Sequence, residues 1–203
     1  MKGQKVELAA APVSFIGAWY LDDVAVCDDL IRLFHESPNK VVGALVDRYG
    51  QPQVRKDDKD SIDVALAPNA PQPAFQAYLV ELQKVVEKYI AEFRYCNEFA
   101  PWTIVEPVNI QFFQKGGGYK AFHTERVSAS PPNSNRHLVF MTYLNDVDDD
   151  GGTEFLHQKL IVSARKGLTL IWPVDWTHTH RGIVSTSEEK YIITGWFDFV
   201  VNR

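Results

Sequence analysis

The chain has 203 residues, enough for one domain with a sizeable core, and its 45% hydrophobic and 23% charged residues are those of a folded rather than a disordered protein. A formal net charge of -5, with no long run of Lys and Arg, argues against a general nucleic-acid surface. Cys27 and Cys96 form no CxxC pair, which disfavours thiolate metal or dithiol redox chemistry, and the absence of a signal-like or ~20-residue apolar run places the expected location in the cytoplasm, away from a membrane.

In chain order, residues 13–20 read as a short apolar strand. A helix follows to residue 36, with Asp22 or Asp23 as its cap and Val26, Leu30, Leu33 and Phe34 at helical spacing; Ser37-Pro38-Asn39 stops it. Residues 47–73, polar and proline-bearing, predict a long loop with one short strand at 62–66. Loops of that length are often functional. Residues 73–95 predict an amphipathic helix, because Phe75, Leu79, Leu82, Val85 or Val86, Tyr89, Ile90 and Phe93 keep a 3.6-residue period.

The pattern then changes to period two. Strands are expected at 105–113, 119–124, 137–145, 159–162, 168–172, 178–180 and 191–200, separated by turn signals such as Gly116-Gly117-Gly118 and Asp150-Gly151-Gly152. Helices first and many short strands second imply an α+β fold, with helices on one face of a jelly roll.

Two motifs carry chemistry. In FHTER, residues 122–126, period two puts His123 and Glu125 on one face, able to reach one cation at ~2.0–2.2 Å. In WTHTHRG, residues 176–182, the same rule pairs His178 and His180. Two histidines and one carboxylate form the facial triad of non-haem iron oxygenases, which leaves three metal positions open. Either histidine of the second motif can complete it. A cupin-like zinc or manganese site using both, and a module that binds metal or organic acid without turnover, are the competing readings. Lys190 opens the apolar run KYIITGWFDF, where a buried ammonium is costly unless it meets an anion. A dicarboxylate would supply one.

The segments IQFFQKGGGYKAFHTE, LVFMTYLNDVDDDGGTEF, ARKGLTLIWPVDWTHTHRG and KYIITGWF, in this order and spacing, resemble the catalytic domain of the 2-oxoglutarate/Fe(II) oxygenase superfamily, prolyl 4-hydroxylase-like branch. The resemblance implies a single domain, with residues 1–100 as a helical support and 101–203 as a double-stranded β-helix, the N-terminal helices packed on its major sheet. It implies Fe(II) on His123, Glu125 and His180, the spacing to Lys190 favouring His180 over His178. It implies 2-oxoglutarate on Lys190, Tyr143 and Thr169, with O2 consumed and ascorbate as an optional reductant. The implied reaction is hydroxylation of an aliphatic carbon, a prolyl residue in a peptide or protein ahead of a small molecule, with succinate and CO2 as co-products. Two departures stand out: Glu125 replaces the usual aspartate, and Phe113 stands where some relatives have tyrosine. The loop at 47–73 and residues 126–136 are expected to flank the metal mouth as lids.

Overall fold

The computed structural model describes residues 14–200. In order these form β1 (Gly17–Tyr20), α1 (Ala25–Glu36), β2 (Val41–Val42), β3 (Leu45–Val46), β4 (Pro52–Gln53), β5 (Lys59–Asp60), β6 (Ile62–Leu66), α2 (Pro73–Glu92), β7 (Trp102–Thr103), β8 (Val108–Phe113), β9 (Gly118–Tyr119), β10 (Arg136–Tyr143), β11 (Thr153–Phe155), β12 (Leu160–Val162), β13 (Leu168–Pro173), β14 (His180–Gly182) and β15 (Lys190–Phe199). The expected strand at 13–20 is therefore observed from Gly17, its first residue lying outside the described segment.

Both helices follow their apolar spacing. In α2, Phe75, Tyr78, Leu82, Val85, Val86 and Tyr89 are buried, and Pro73 sits in the first turn, where its missing N–H costs nothing. The start of α1 has a partner that local sequence does not reveal. Glu81 of α2 accepts hydrogen bonds from the Asp22 and Asp23 amides at 2.9 and 3.1 Å, while Asp23 Oδ1 accepts from the Ala25 amide at 2.9 Å. No described helix is long and apolar enough to cross a membrane.

The sheets are antiparallel throughout. The larger has eight strands, ordered β1-β13-β10-β15-β8-β6-β2 with β7 paired to β15. The smaller is β12-β11-β14. This arrangement is that of a jelly roll. Alternation divides the large sheet into two faces. Leu138, Phe140, Ile110, Ile171, Ile193 and Phe197 share one apolar cluster with Leu30, Phe34, Phe75, Tyr78 and Tyr89 of the helices. Phe34 stacks near Phe112 and Tyr191, with centroids 5.8 and 5.7 Å apart, and Tyr78 Oη lies 3.0 Å from Thr142 Oγ1. Each fully buried Phe or Leu there contributes ~1.5–3 kcal/mol relative to exposure. The out-of-phase residues, among them Met141, Tyr143, Trp172, Lys190, Ile192, Thr194 and Trp196, line a cavity on the other face.

The polar stretch 47–73 is more ordered than expected. It contributes β4 and β5 besides the foreseen β6, and β5 pairs with β9. Conversely, the expected strand 119–124 stops at Tyr119, and only an isolated bridge between His123 and His180 continues it.

Candidate active site

His123 and Glu125 lie on a short extended stretch held from both sides by backbone. The His123 amide donates to His180 O at 2.9 Å and the His180 amide donates back to His123 O at 3.0 Å, while the Glu125 amide donates to Val174 O at 3.2 Å. This bridge, rather than a long strand, brings the two motifs together. His123 Nε2 is 3.5 Å and His180 Nε2 is 3.3 Å from Glu125 Oε1. Among the described residues His123, Glu125 and His180 form a cluster able to hold a metal, with ligand atoms within 4.8 Å of one another.

The hydrogen bonds on the far sides of the rings show what the cluster needs. His123 Nδ1 lies 3.0 Å from Ala121 O, and His180 Nδ1 lies 2.9 Å from His178 O. A carbonyl accepts only, so each Nδ1 donates its N–H and each Nε2 is the ring atom turned toward Glu125. Burial and the neighbouring His180 push His123 below the usual imidazole range. Burial alone would raise Glu125, but the two imidazoles facing it hold its carboxyl well below the usual range. Two imidazole nitrogens and a carboxylate oxygen therefore converge on one point. A divalent cation fits that donor set, and imidazole with carboxylate suits iron(II). Tyr119 fixes the His123 plane by stacking on it, with centroids 3.6 Å apart and 4° between planes.

His178 does not share the face of His180. Residues Trp176–His178 form a 3-10 turn, and β14 begins only at His180. The His178 ring is turned the other way, Nε2 to Ser14 O at 2.7 Å and Nδ1 to Thr177 Oγ1 at 3.0 Å. The expected strand at 178–180 is thus corrected, and with it the cupin-like pairing of the two histidines loses its geometry.

The cavity, about 420 Å³, runs from the triad to Lys190 on one side and to β2 and β3 on the other. Lys190 is buried, its ammonium donating to Gly151 O at 2.8 Å and Ile183 O at 3.4 Å, with the Phe113 ring 5.0 Å away. Burial pushes its pKa down to about 8, and no carboxylate offsets the shift. An ammonium so placed is prepared for an anion. Gly151 presents its carbonyl to this ammonium from a turn with φ of 68°, where a Cβ would also meet Val147 at 2.5 Å. Tyr143 lines the same end, its hydroxyl 2.6 Å from Thr153 Oγ1. Thr153, the first residue of β11, is a pocket residue that the sequence did not single out.

Thr169 is not in the pocket. It is out of phase with Leu170 and Trp172, and its hydroxyl lies 2.7 Å from Thr142 Oγ1, on the helix side of the sheet. The expectation that it contacts the co-substrate is corrected. A Tyr78–Thr142–Thr169 hydroxyl chain ties α2 to the sheet instead. Thr169→Val should leave the KM for 2-oxoglutarate unchanged while costing ~1 kcal/mol in a denaturation experiment. A several-fold rise in that KM at unchanged stability would return Thr169 to the pocket.

The comparisons agree with this geometry. Residues 108–198 match the model of the 2OG-Fe(II) oxygenase superfamily. No curated protein sequence matches the chain significantly. Among solved structures, the chain is similar to a viral collagen prolyl hydroxylase from Paramecium Bursaria Chlorella virus-1 in complex with 2-oxoglutarate, at 17% identity and a TM-score of 0.65 over 92% of this chain and 97% of that one. It is also similar to a Pseudomonas putida prolyl-4-hydroxylase, at 14% identity and a TM-score of 0.68 over 91% and 93%. A Trichoplax adhaerens prolyl hydroxylase, in complex with a peptide fragment of the hypoxia inducible factor oxygen degradation domain, matches at 14% identity and a TM-score of 0.66 over 92% and 84%. At these identities the neighbours establish the fold, and the matched segment holds the whole triad and Lys190. The 2OG-Fe(II) oxygenase superfamily match thus covers a little under half of the chain, the part that carries His123, Glu125, His180 and Lys190.

Proposed function

We propose that the protein is a 2-oxoglutarate-dependent dioxygenase that hydroxylates a prolyl residue in a peptide or protein, with iron(II) held by His123, Glu125 and His180 and the distal carboxylate of 2-oxoglutarate held by Lys190 beside Tyr143. Bound iron and 2-oxoglutarate supply oxygen activation, one oxygen atom entering the substrate C–H bond and the other entering succinate as CO2 leaves. The protein orients the keto acid through the Lys190 ammonium, holds the ligand rings through backbone carbonyls and Tyr119, and screens the centre behind the apolar walls of Trp172, Met141 and Ile192. We read α1 and α2 as the supporting layer of the large sheet and the strands after residue 100 as the catalytic core.

The observation that carries the substrate class is the second end of the cavity. Beyond the triad the cavity is lined by Val41, Val42, Leu45, Val46 and Pro107, by Asn109 and Gln111, and by two ion pairs, Lys59 with Asp63 at 2.7 Å and Arg136 with Glu106 at 2.6 Å. Val41 and Val42 are exposed strand residues, so this end opens to solvent. Apolar valines beside amides and internally paired charges suit an extended peptide, whose backbone meets the polar groups while one small apolar ring enters toward the triad. The peptide bound by the Trichoplax adhaerens enzyme on the same fold supports the same reading.

The test incubates the iron-loaded protein with 2-oxoglutarate, O2, ascorbate and a panel of proline-containing peptides, and follows succinate release together with a mass gain of one oxygen on the peptide. Peptide-stimulated succinate release with hydroxyproline in the product is expected. Turnover stimulated only by free small molecules would sink the peptide assignment.

A further inference from the structure

The carboxylate of the triad is a glutamate, and its second oxygen is not idle. Oε1 faces the two histidine Nε2 atoms, while Oε2 accepts a hydrogen bond from the Trp196 indole N–H at 3.0 Å. Arg136 Nη1 stands 4.0 Å from that same oxygen and donates to the Glu125 backbone carbonyl at 2.7 Å. The Arg136 guanidinium carbon lies 3.5 Å from the centroid of the Trp196 ring. Glu106 grips the guanidinium from outside with both carboxylate oxygens, at 2.6 and 2.8 Å. The sequence places these groups from separate elements: Trp196 on the Lys190 face of β15, Arg136 at the head of β10, Glu106 just before β8.

This matters because a glutamate has one more rotatable bond than an aspartate. Left free, its carboxylate can swing away from the ion or grip it with both oxygens. Three single-atom protein ligands leave three positions of an octahedron open. A glutamate that chelates leaves two, which the keto acid alone would fill.

We propose that Trp196, clamped by Arg136, is a positioning residue that holds Glu125 through Oε2 so that Oε1 alone is offered to the ion. The inference rests on the assignment of the triad as the iron site. Aspartate in place of Glu125 keeps the charge and the donor atoms, but its carboxylate is one methylene further from the indole.

Co(II) binding, read by calorimetry and by the visible spectrum, is compared across wild type, Trp196→Phe, Glu125→Asp and the double variant. Phe keeps a six-membered ring beneath Arg136 and removes the donor together with the pyrrole half of the indole, a packing loss that the Glu125→Asp background shares. Trp196→Phe is expected to weaken Co(II) binding by about tenfold, the lower end for loss of a group that orients a ligand. In the Glu125→Asp background the same replacement should change affinity by less than about twofold, because the indole no longer reaches the carboxylate. If the Phe variant does not fold, Trp196→Tyr is expected to lose at least about threefold, its hydroxyl being set at a different reach. Wild-type affinity in Trp196→Phe, or an equal loss in both backgrounds, overturns the positioning role and leaves the triad standing. No Co(II) binding to the wild type overturns the triad itself.

Discussion

His180→Ala is expected to abolish the proposed hydroxylation and to lower divalent-metal affinity by at least about 100-fold, whereas His178→Ala should leave metal affinity within about threefold of wild type. The asymmetry follows from the two rings' partners. His180 presents Nε2 to Glu125 Oε1 at 3.3 Å, while His178 spends Nε2 on Ser14 O and Nδ1 on Thr177. Removing His178 sacrifices a buried hydrogen bond to the chain near residue 14, so its cost appears as ~1 kcal/mol of stability instead. Anaerobic Fe(II) and Co(II) titrations of both variants, with thermal denaturation alongside, make the comparison. Metal binding retained in His180→Ala, or lost equally in both, would exclude the assignment.

The second large effect falls on the co-substrate. Lys190→Met should weaken 2-oxoglutarate binding by roughly thirtyfold to several-thousandfold, the ~2–5 kcal/mol expected when one partner of a buried charge pair is truncated, with metal affinity little changed. Met fills the space of the lysine stem, so the loss is one of charge. The wild-type protein should also show a pH signature. Burial holds the free Lys190 at about 8, so its ammonium is present below that pH and is lost as pH rises through it. A bound carboxylate favours the charged form and raises the pKa again. Above pH ~8, 2-oxoglutarate binding should therefore take up a proton, and its Kd should rise by up to about tenfold per pH unit. Calorimetry in buffers of different ionisation enthalpy measures that uptake. No proton uptake at pH 8.5, together with a pH-independent Kd, would show that Lys190 does not meet the co-substrate.

Much of the architecture was legible because two periods carry it. The 3.6-residue spacing of Phe75, Leu82 and Tyr89 marks α2, and the cluster of these side chains with Phe140 and Ile193 explains why that spacing is kept. Period two in KYIITGWFDF places Lys190, Ile192, Thr194 and Trp196 on one face, and all four line the cavity. The same rule fails for LTLIW at 168–172. Both faces of β13 are buried, so the alternation carries no contrast, and Thr169 cannot be assigned a side from its neighbours. His178 escaped for a different reason. Its amide closes a turn onto Asp175 O at 2.8 Å, which breaks the strand between the two histidines of one short motif. Arg136, Glu106 and Thr153 carry no local signal, because each earns its place only through partners distant in the chain.

The paired amide bonds between His123 and His180 give the centre a property of its own. Two stretches of polypeptide far apart in sequence are latched at the residues whose side chains hold the ion, so the latch and the ligand set can only open together. Loading with metal should therefore slow hydrogen–deuterium exchange at those two amides more than at β12 on the outer edge of the small sheet. Exchange at His123 and His180 then becomes a gauge of occupancy that needs no turnover.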